Sequence, residues 1–229
     1  MISHQHRCIF IHIPKCAGRS VGISLQQQAK VLNWRGPEVE FTMRNEGLAK
    51  MLNLYPHYFT FTFVRNPFDR LVSIWRHSES RIGSEVAGDY NYYLRPQSGL
   101  SLKAYAKLIH TGDHSQLSRF DRYHAQPQVS FILDYNRWRY FGVWRRRWGK
   151  MGFIGRYETL QHDFNTVCSR LSIPHSTLPH YNKAQNRQHY SHYYDAETIQ
   201  IVREIYADDI KRLDYQFEQV DVHSAVSAQ

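Results

Sequence analysis

Pro14-Lys15-Cys16-Ala17-Gly18-Arg19-Ser20 follows an apolar run, Cys8 to Ile13, and precedes a helical pattern. A strand, a small-residue loop holding a cation and a helix start, in that order, aim successive backbone N–H groups and the positive end of a helix dipole at one point. Such a turn captures an anion. Lys15 adds a compact positive charge to hold it. A second junction, Thr60-Phe-Thr-Phe-Val-Arg-Asn-Pro-Phe-Asp-Arg-Leu-Val-Ser73, puts Arg65 at a strand end and Ser73 inside the helix that follows. Arginine offers a fork matched to phosphate oxygens, and its length would let it reach along the helix toward Ser73. Two anion sites at neighbouring strand ends predict a ligand with two separated phosphate-like groups.

The elements that must position these residues follow from pattern. Cys8 to Ile13 reads as a buried strand and Ser20 to about Ala29 as its helix. Tyr58 to Val64, rich in Phe and Thr, reads as a second strand. Asn66 is a good N-cap, Pro67 suits the first helical position and Asp69 the first turn, so a helix should run to about Ser80. Asp69 and Arg70 are expected to make local helix or cap contacts. Ser101 should cap a helix to His110, and a polar loop should extend from there to Gln126. Val129 to Leu133 and Gly152 to Tyr157 are strand candidates. Thr159 to Leu171 places Leu160, Phe164, Val167 and Leu171 on one helical face, with Glu158 as a cap or ion-pair partner. Asp195 should cap one long final helix carrying Ile199, Val202, Tyr206, Ile210 and Leu213. Glu46 to Leu54 is weakly helical. Strands alternating with helices predict an α/β fold: a single domain over residues 1–221, with a mostly parallel central sheet flanked by helices, and a disordered tail at 222–229. Ligands in such folds sit at the carboxyl ends of strands, where both junctions fall.

The 229-residue chain has a net charge of +9, a pI near 9.5 and 42% hydrophobic residues. That composition excludes a disordered chain and favours an anionic partner without choosing among nucleotide, nucleic acid, acidic polysaccharide and membrane surface. Cys8, Cys16 and Cys168 are too few and too widely spaced for a disulfide framework or a zinc finger. Reduced thiols point to the cytoplasm. No run approaches the roughly 18 apolar residues of a membrane span, and the N-terminus lacks a signal-peptide pattern. The Golgi lumen would apply if an anchor had preceded the present start. Arg137 to Trp148 interleaves cations with aromatics, as an amphipathic basic hairpin does, or as a surface for an anionic glycan or a nucleic acid does.

Together the two junctions resemble the nucleotide signatures of sulfotransferases that use 3′-phosphoadenosine 5′-phosphosulfate (PAPS), with the flavour of the carbohydrate branch related to Golgi 2-O- and 4-O-sulfotransferases and small bacterial homologues. Pro14 to Ser20 resembles the 5′-phosphosulfate loop, with Cys16, Ala17 and Arg19 in place of commoner Thr, Gly and Thr. Val64-Arg65-Asn66-Pro67-Phe68-Asp69-Arg70-Leu71-Val72-Ser73 resembles the 3′-phosphate motif. Tyr123-His124-Ala125-Gln126-Pro127-Gln128, Gly155 to Leu160 and the stretch from Tyr193 to Tyr215 extend the likeness over nearly the whole chain. The resemblance implies a P-loop-like fold and transfer of a sulfuryl group from PAPS, the co-substrate, to a carbohydrate hydroxyl without metal. Lys15 would stabilise the leaving oxygen, the loop through Ser20 would hold the 5′-phosphate, and Arg65 with Ser73 the 3′-phosphate. His124 would serve as general base, with Glu46 as the alternative. Lys183 and Arg187 would lie in a late loop covering the nucleotide. The implied partner is a carbohydrate, anionic if the basic charge is used, and not a nucleic acid.

Two other classes explain less. A P-loop kinase needs GxxxxGK[ST], whereas Lys15 precedes its glycine and Gly149-Lys150-Met151 lacks the hydroxyl residue. A non-catalytic polyanion binder accounts for the charge but for neither strand-to-helix junction.

Overall fold

In a computed structural model of the chain, residues 1–31, 54–80, 99–135, 146–148, 151–179 and 188–220 are described. Glu46, Lys183, Arg187, Arg137 to Arg145 and the tail from 222 lie outside the described residues. In chain order the strands are β1 (Ile2–Ser3), β2 (Cys8–Ile11), β3 (Phe59–Val64), β4 (Leu133–Tyr135), β5 (Arg146–Trp148) and β6 (Phe153–Arg156). The helices are α1 (Gly18–Val31), α2 (Pro67–Glu79), α3 (Leu102–Thr111), α4 (Arg119–His124), α5 (Val129–Ile132), α6 (Leu160–Arg170), α7 (Ala196–Ile205) and α8 (Ala207–Leu213). The chain divides into two compact units, Met1–Arg65 with Pro127–Lys183, and Asn66–Gln126 with Ala184–Gln229. No helix among the described residues is long and apolar enough to cross a membrane.

The first unit holds a mixed sheet in the order β1-β2-β3-β6, in which β2, β3 and β6 are parallel and the short β1 pairs antiparallel with β2. The mostly parallel sheet expected of an α/β chain is therefore present. β3 has a parallel neighbour on each side, and such a strand must be apolar or internally satisfied on both faces. Phe61 and Phe63 are buried, the Phe10 and Phe61 rings stack at 5.2 Å, and the buried Thr62 hydroxyl donates to the Ile11 carbonyl at 2.7 Å. Each such Phe contributes about 1.5–3 kcal/mol by leaving water. A separate antiparallel ribbon pairs β4 with β5, Leu133 opposite Trp148. Val129 to Ile132 is helical, not the expected strand: Phe131 N–H returns to the Gln128 carbonyl at 3.0 Å. A short apolar run has no periodicity to tell a buried strand from a buried helical turn.

In the second unit α2 turns Phe68, Leu71, Val72 and Ile74 inward, the i, i+3, i+4 stripe of an amphipathic helix. They pack with Leu102, Tyr105 and Ala106 of α3, Phe120 of α4, and Ile201 and Val202 of α7. Asn66 caps α2 as expected, its side chain accepting from Phe68 N–H at 3.1 Å. Ser101 caps α3 and Gly112 ends it in the left-handed conformation. The stretch expected to be a loop to Gln126 instead contains α4, opened by a capping box in which Ser118 and Asp121 bond reciprocally. Asp121 is fully buried and also accepts from the Tyr105 hydroxyl at 2.8 Å. The final helix is two helices broken at Tyr206, whose φ and ψ are −112° and 29°. Glu158 is exposed, next to the N-cap position of α6 at Thr159. Thr159 precedes α6 without a side-chain cap bond, and Asp163 in the first turn ties the helix to β6, accepting from Arg156 N–H at 2.7 Å and the Thr159 hydroxyl at 2.8 Å.

Asp195 caps α7 through Thr198, taking its N–H at 2.7 Å and its hydroxyl at 2.6 Å. These bonds, then Lys103, lower the carboxyl pKa to about 2. A lowered folded-state pKa contributes stability above the unfolded value and loses it as protonation sets in. The urea midpoint should therefore fall between about pH 4 and pH 2 in the parent, and Asp195→Asn, an equally good cap, should flatten that part of the curve.

Candidate active site

After β2 the chain turns through Pro14 to Ala17 and enters α1. Ile13, Pro14 and Cys16 are buried and anchor the loop from beneath, while Lys15 is half-buried and Arg19 exposed. Lys15 and Ala17 adopt φ of +66° and +61°. Left-handed backbone costs a non-glycine residue roughly 1–2 kcal/mol, so the loop must be held by its surroundings. The Ala17 carbonyl accepts from Val21 N–H at 3.1 Å, the first turn of α1. The opening N–H groups of a helix have no partner within it, and here they belong to the residues expected to hold an anion. Ser20 is 8% exposed at this turn. A Cβ on Gly18 would lie 2.0 Å from the His12 ring, so any larger residue there requires that ring to move.

The side chain that fixes the loop is Gln128, which is fully buried. Its Oε1 accepts from Arg65 N–H at 2.8 Å, and its Nε2 donates to the Arg65 carbonyl at 2.8 Å. One amide thus extends the β3 edge as a neighbouring strand would. The same Oε1 accepts from the Cys16 thiol at 3.2 Å. Arg65, 3% exposed, returns the connection: its Nη1 donates to the Lys15 carbonyl at 3.1 Å, and its guanidinium stacks 4.0 Å from the Tyr157 ring centroid. A cation over an aromatic face in a desolvated place is worth about 1–2 kcal/mol. The two junctions therefore meet in the first unit, Arg65 against the loop carrying Lys15. Ser73 sits half-buried on α2 in the second unit.

His124 ends α4 in the second unit. Its Nδ1 lies 2.9 Å from the Phe120 carbonyl and its ring stacks on Phe120 with centroids 3.8 Å apart. A carbonyl only accepts, so Nδ1 carries the proton and the neutral ring keeps its lone pair on Nε2. Arg70 does more than the local contacts expected of it. Fully buried, it donates to the carbonyls of His124 at 2.6 Å and Gln126 at 3.0 Å. Gln128, Tyr157 and Arg70 are thus positioning residues that residue-type reasoning passed over. Their signal was their place within the stretches around His124, Gly155 and Arg65, each beside a residue with obvious chemistry.

A cation and helix-start amides at the carboxyl end of a parallel strand, with a second strand-end arginine bonded to the same loop, give this α/β protein an arrangement suited to a phosphate-like anion. Residues 1–216 match the sulfotransferase family, and the chain belongs to it. It is similar to carbohydrate sulfotransferase 14 of Mus musculus, 24% identical over 190 residues that make up 76% of this chain and 46% of the relative. It is also similar to carbohydrate sulfotransferase 14 of Danio rerio, 23% identical over 198 residues, 76% of this chain and 48% of the relative. The chain spans about half the length of the curated relatives it matches. A crystal structure of a sulfotransferase from Alicyclobacillus acidocaldarius aligns with 91% of this chain and 84% of its own, at a TM-score of 0.46 and 13% identity.

Gln128→Ala removes both bonds to the buried Arg65 backbone, and each stranded group costs about 1–3 kcal/mol. Thermal unfolding should fall by roughly 5–15 °C. Gln128→Glu can still accept but cannot donate to the Arg65 carbonyl, and should fall between alanine and parent. Ala17→Gly relieves left-handed strain and loses some unfolded-state restriction, so it should raise stability by about 0.5–1 kcal/mol, measured as a higher urea midpoint.

Proposed function

We propose that the protein transfers the sulfuryl group of PAPS to a hydroxyl of a carbohydrate acceptor. The observation that carries the reading is the bond from Arg65 Nη1 to the Lys15 carbonyl at 3.1 Å, because it joins two anion motifs that a donor with phosphates at both its 3′ and 5′ positions requires. Family membership supports the reaction class, and the names of the two relatives support a carbohydrate acceptor. The three cysteines, none in a disulfide, favour a reducing compartment, the cytoplasm.

In this reading the acceptor oxygen attacks sulfur in line, an O–S bond forms, and the bond from sulfur to the 5′-phosphate oxygen breaks. The acceptor proton passes to Nε2 of His124. Negative charge grows on the leaving oxygen, and Lys15 meets it. Backbone amides of Ala17, Gly18, Arg19 and Ser20, with the Ser20 hydroxyl, hold the 5′-phosphate as a P-loop-like cradle. Arg65 supplies positive potential for the 3′-phosphate while it braces the Lys15 loop, and Ser73 is assigned to that phosphate. Lys183 and Arg187 are assigned to cover the nucleotide. Preorganised charge and positioning account for the rate, because sulfuryl transfer, like phosphoryl transfer, asks little covalent chemistry of the protein.

Incubation with PAPS and a panel of glycans should release adenosine 3′,5′-bisphosphate in step with sulfated product. Lys15→Ala should lower kcat about 100-fold or more with the fold intact by circular dichroism. Unchanged turnover in that variant would remove the mechanism.

A further inference from the structure

Three consecutive carbonyls in the second unit, at His124, Ala125 and Gln126, are held by two side chains from distant parts of the sequence. Arg70, on the second turn of α2, donates one N–H to the His124 carbonyl at 2.6 Å and another to the Gln126 carbonyl at 3.0 Å. Tyr206, at the break between α7 and α8, donates its hydroxyl to the Ala125 carbonyl between them at 2.9 Å. The last carbonyls of a helix lack partners within it and are met by water, by a tightened turn or by a side chain. Here water is replaced by a fully buried guanidinium and a phenol 1% exposed. Burial pushes the Tyr206 phenol well above its ordinary range, so it stays a donor.

The break in the final helix falls at the same residue. Tyr206 closes α7, its N–H bonded to the Val202 carbonyl at 3.0 Å, and its carbonyl takes the Ile210 N–H at 2.9 Å to open α8. An uninterrupted helix would carry that residue differently.

We propose that Arg70 and Tyr206 form a clamp that positions His124 for proton transfer. The inference rests on His124 being the general base. With the backbone from 124 to 126 clamped, the ring Nδ1 bonded to the Phe120 carbonyl and the ring face against Phe120, the imidazole has neither backbone freedom nor rotamer freedom to lose at the moment of reaction. Misplacement of a base by about 1 Å can cost on the order of 100-fold in rate. Arg70 and Tyr206 are positioning residues in this scheme and touch no substrate.

Steady-state kinetics on four variants of the full chain test this, with rates normalised to the concentration of sites that bind adenosine 3′,5′-bisphosphate. Tyr206→Phe, which removes only the hydroxyl, should lower kcat about three- to tenfold and leave the KM for PAPS unchanged. Arg70→Lys, which keeps the charge but loses the rigid planar fork, should lower kcat further, and Arg70→Met further still, again without moving that KM. His124→Ala sets the floor. Wild-type kcat in folded Tyr206→Phe and Arg70→Lys beside an inactive His124→Ala would overturn the clamp while leaving the base in place. Wild-type kcat in His124→Ala would overturn the base and the clamp with it. Should the arginine variants fail to fold, Tyr206→Phe decides alone.

Discussion

A single buried amide organises the first unit. Gln128 meets both backbone groups of Arg65 and the thiol of Cys16, so the end of β3 and the loop after β2 are fixed by one side chain. The energetic logic is that of any buried polar network. When every partner is present the contacts strengthen one another in a low dielectric, and when one is lost the rest become a cost. The strained backbone at Lys15 and Ala17 persists because this network and the apolar floor beneath it leave the loop no easier conformation.

Charge follows from that constraint. The Lys15 carbonyl is taken by Arg65, and the arginine is in turn backed by Tyr157. Two cations are thereby kept at the carboxyl end of a parallel sheet, where the opening amides of α1 also gather. An anion bound there meets donors set in place by folding, and no reorganisation is needed when charge shifts during a reaction. The second unit uses the same device on a different target. Two of its buried charged groups, Arg70 and Asp121, satisfy helix ends: Asp121 opens α4 and Arg70 closes it.

Much of this was legible from residues that act locally. The Phe-Thr run of β3, the Asn66-Pro67 start of α2 and the Ser101 and Asp195 caps form through neighbours a few positions away, so pattern finds them. The loop from Pro14 to Ser20 was legible because small residues, a lysine and a helix start are adjacent in the chain. What pattern could not reach depends on partners far off in sequence. Gln128 looks like an ordinary polar residue until Arg65, 63 positions earlier, lies against it. Tyr206 fits the apolar stripe of a long helix, and its bond to Ala125, 81 positions earlier, is invisible to that pattern. α4 is too short to show a period, although Ser118 and Asp121 carried its capping signal. Val129 to Ile132 was misjudged because a brief apolar run suits strand and helix alike.

The most direct measurement is calorimetric titration with adenosine 3′,5′-bisphosphate and, separately, adenosine 5′-monophosphate. If Gln128 holds two anion motifs in one arrangement, the parent should prefer the bisphosphate at least about tenfold, a difference of ~1.4 kcal/mol, and folded Gln128→Ala should lose that preference. Equal affinity of the parent for the two nucleotides, or a preference that survives in the variant, would contradict the account.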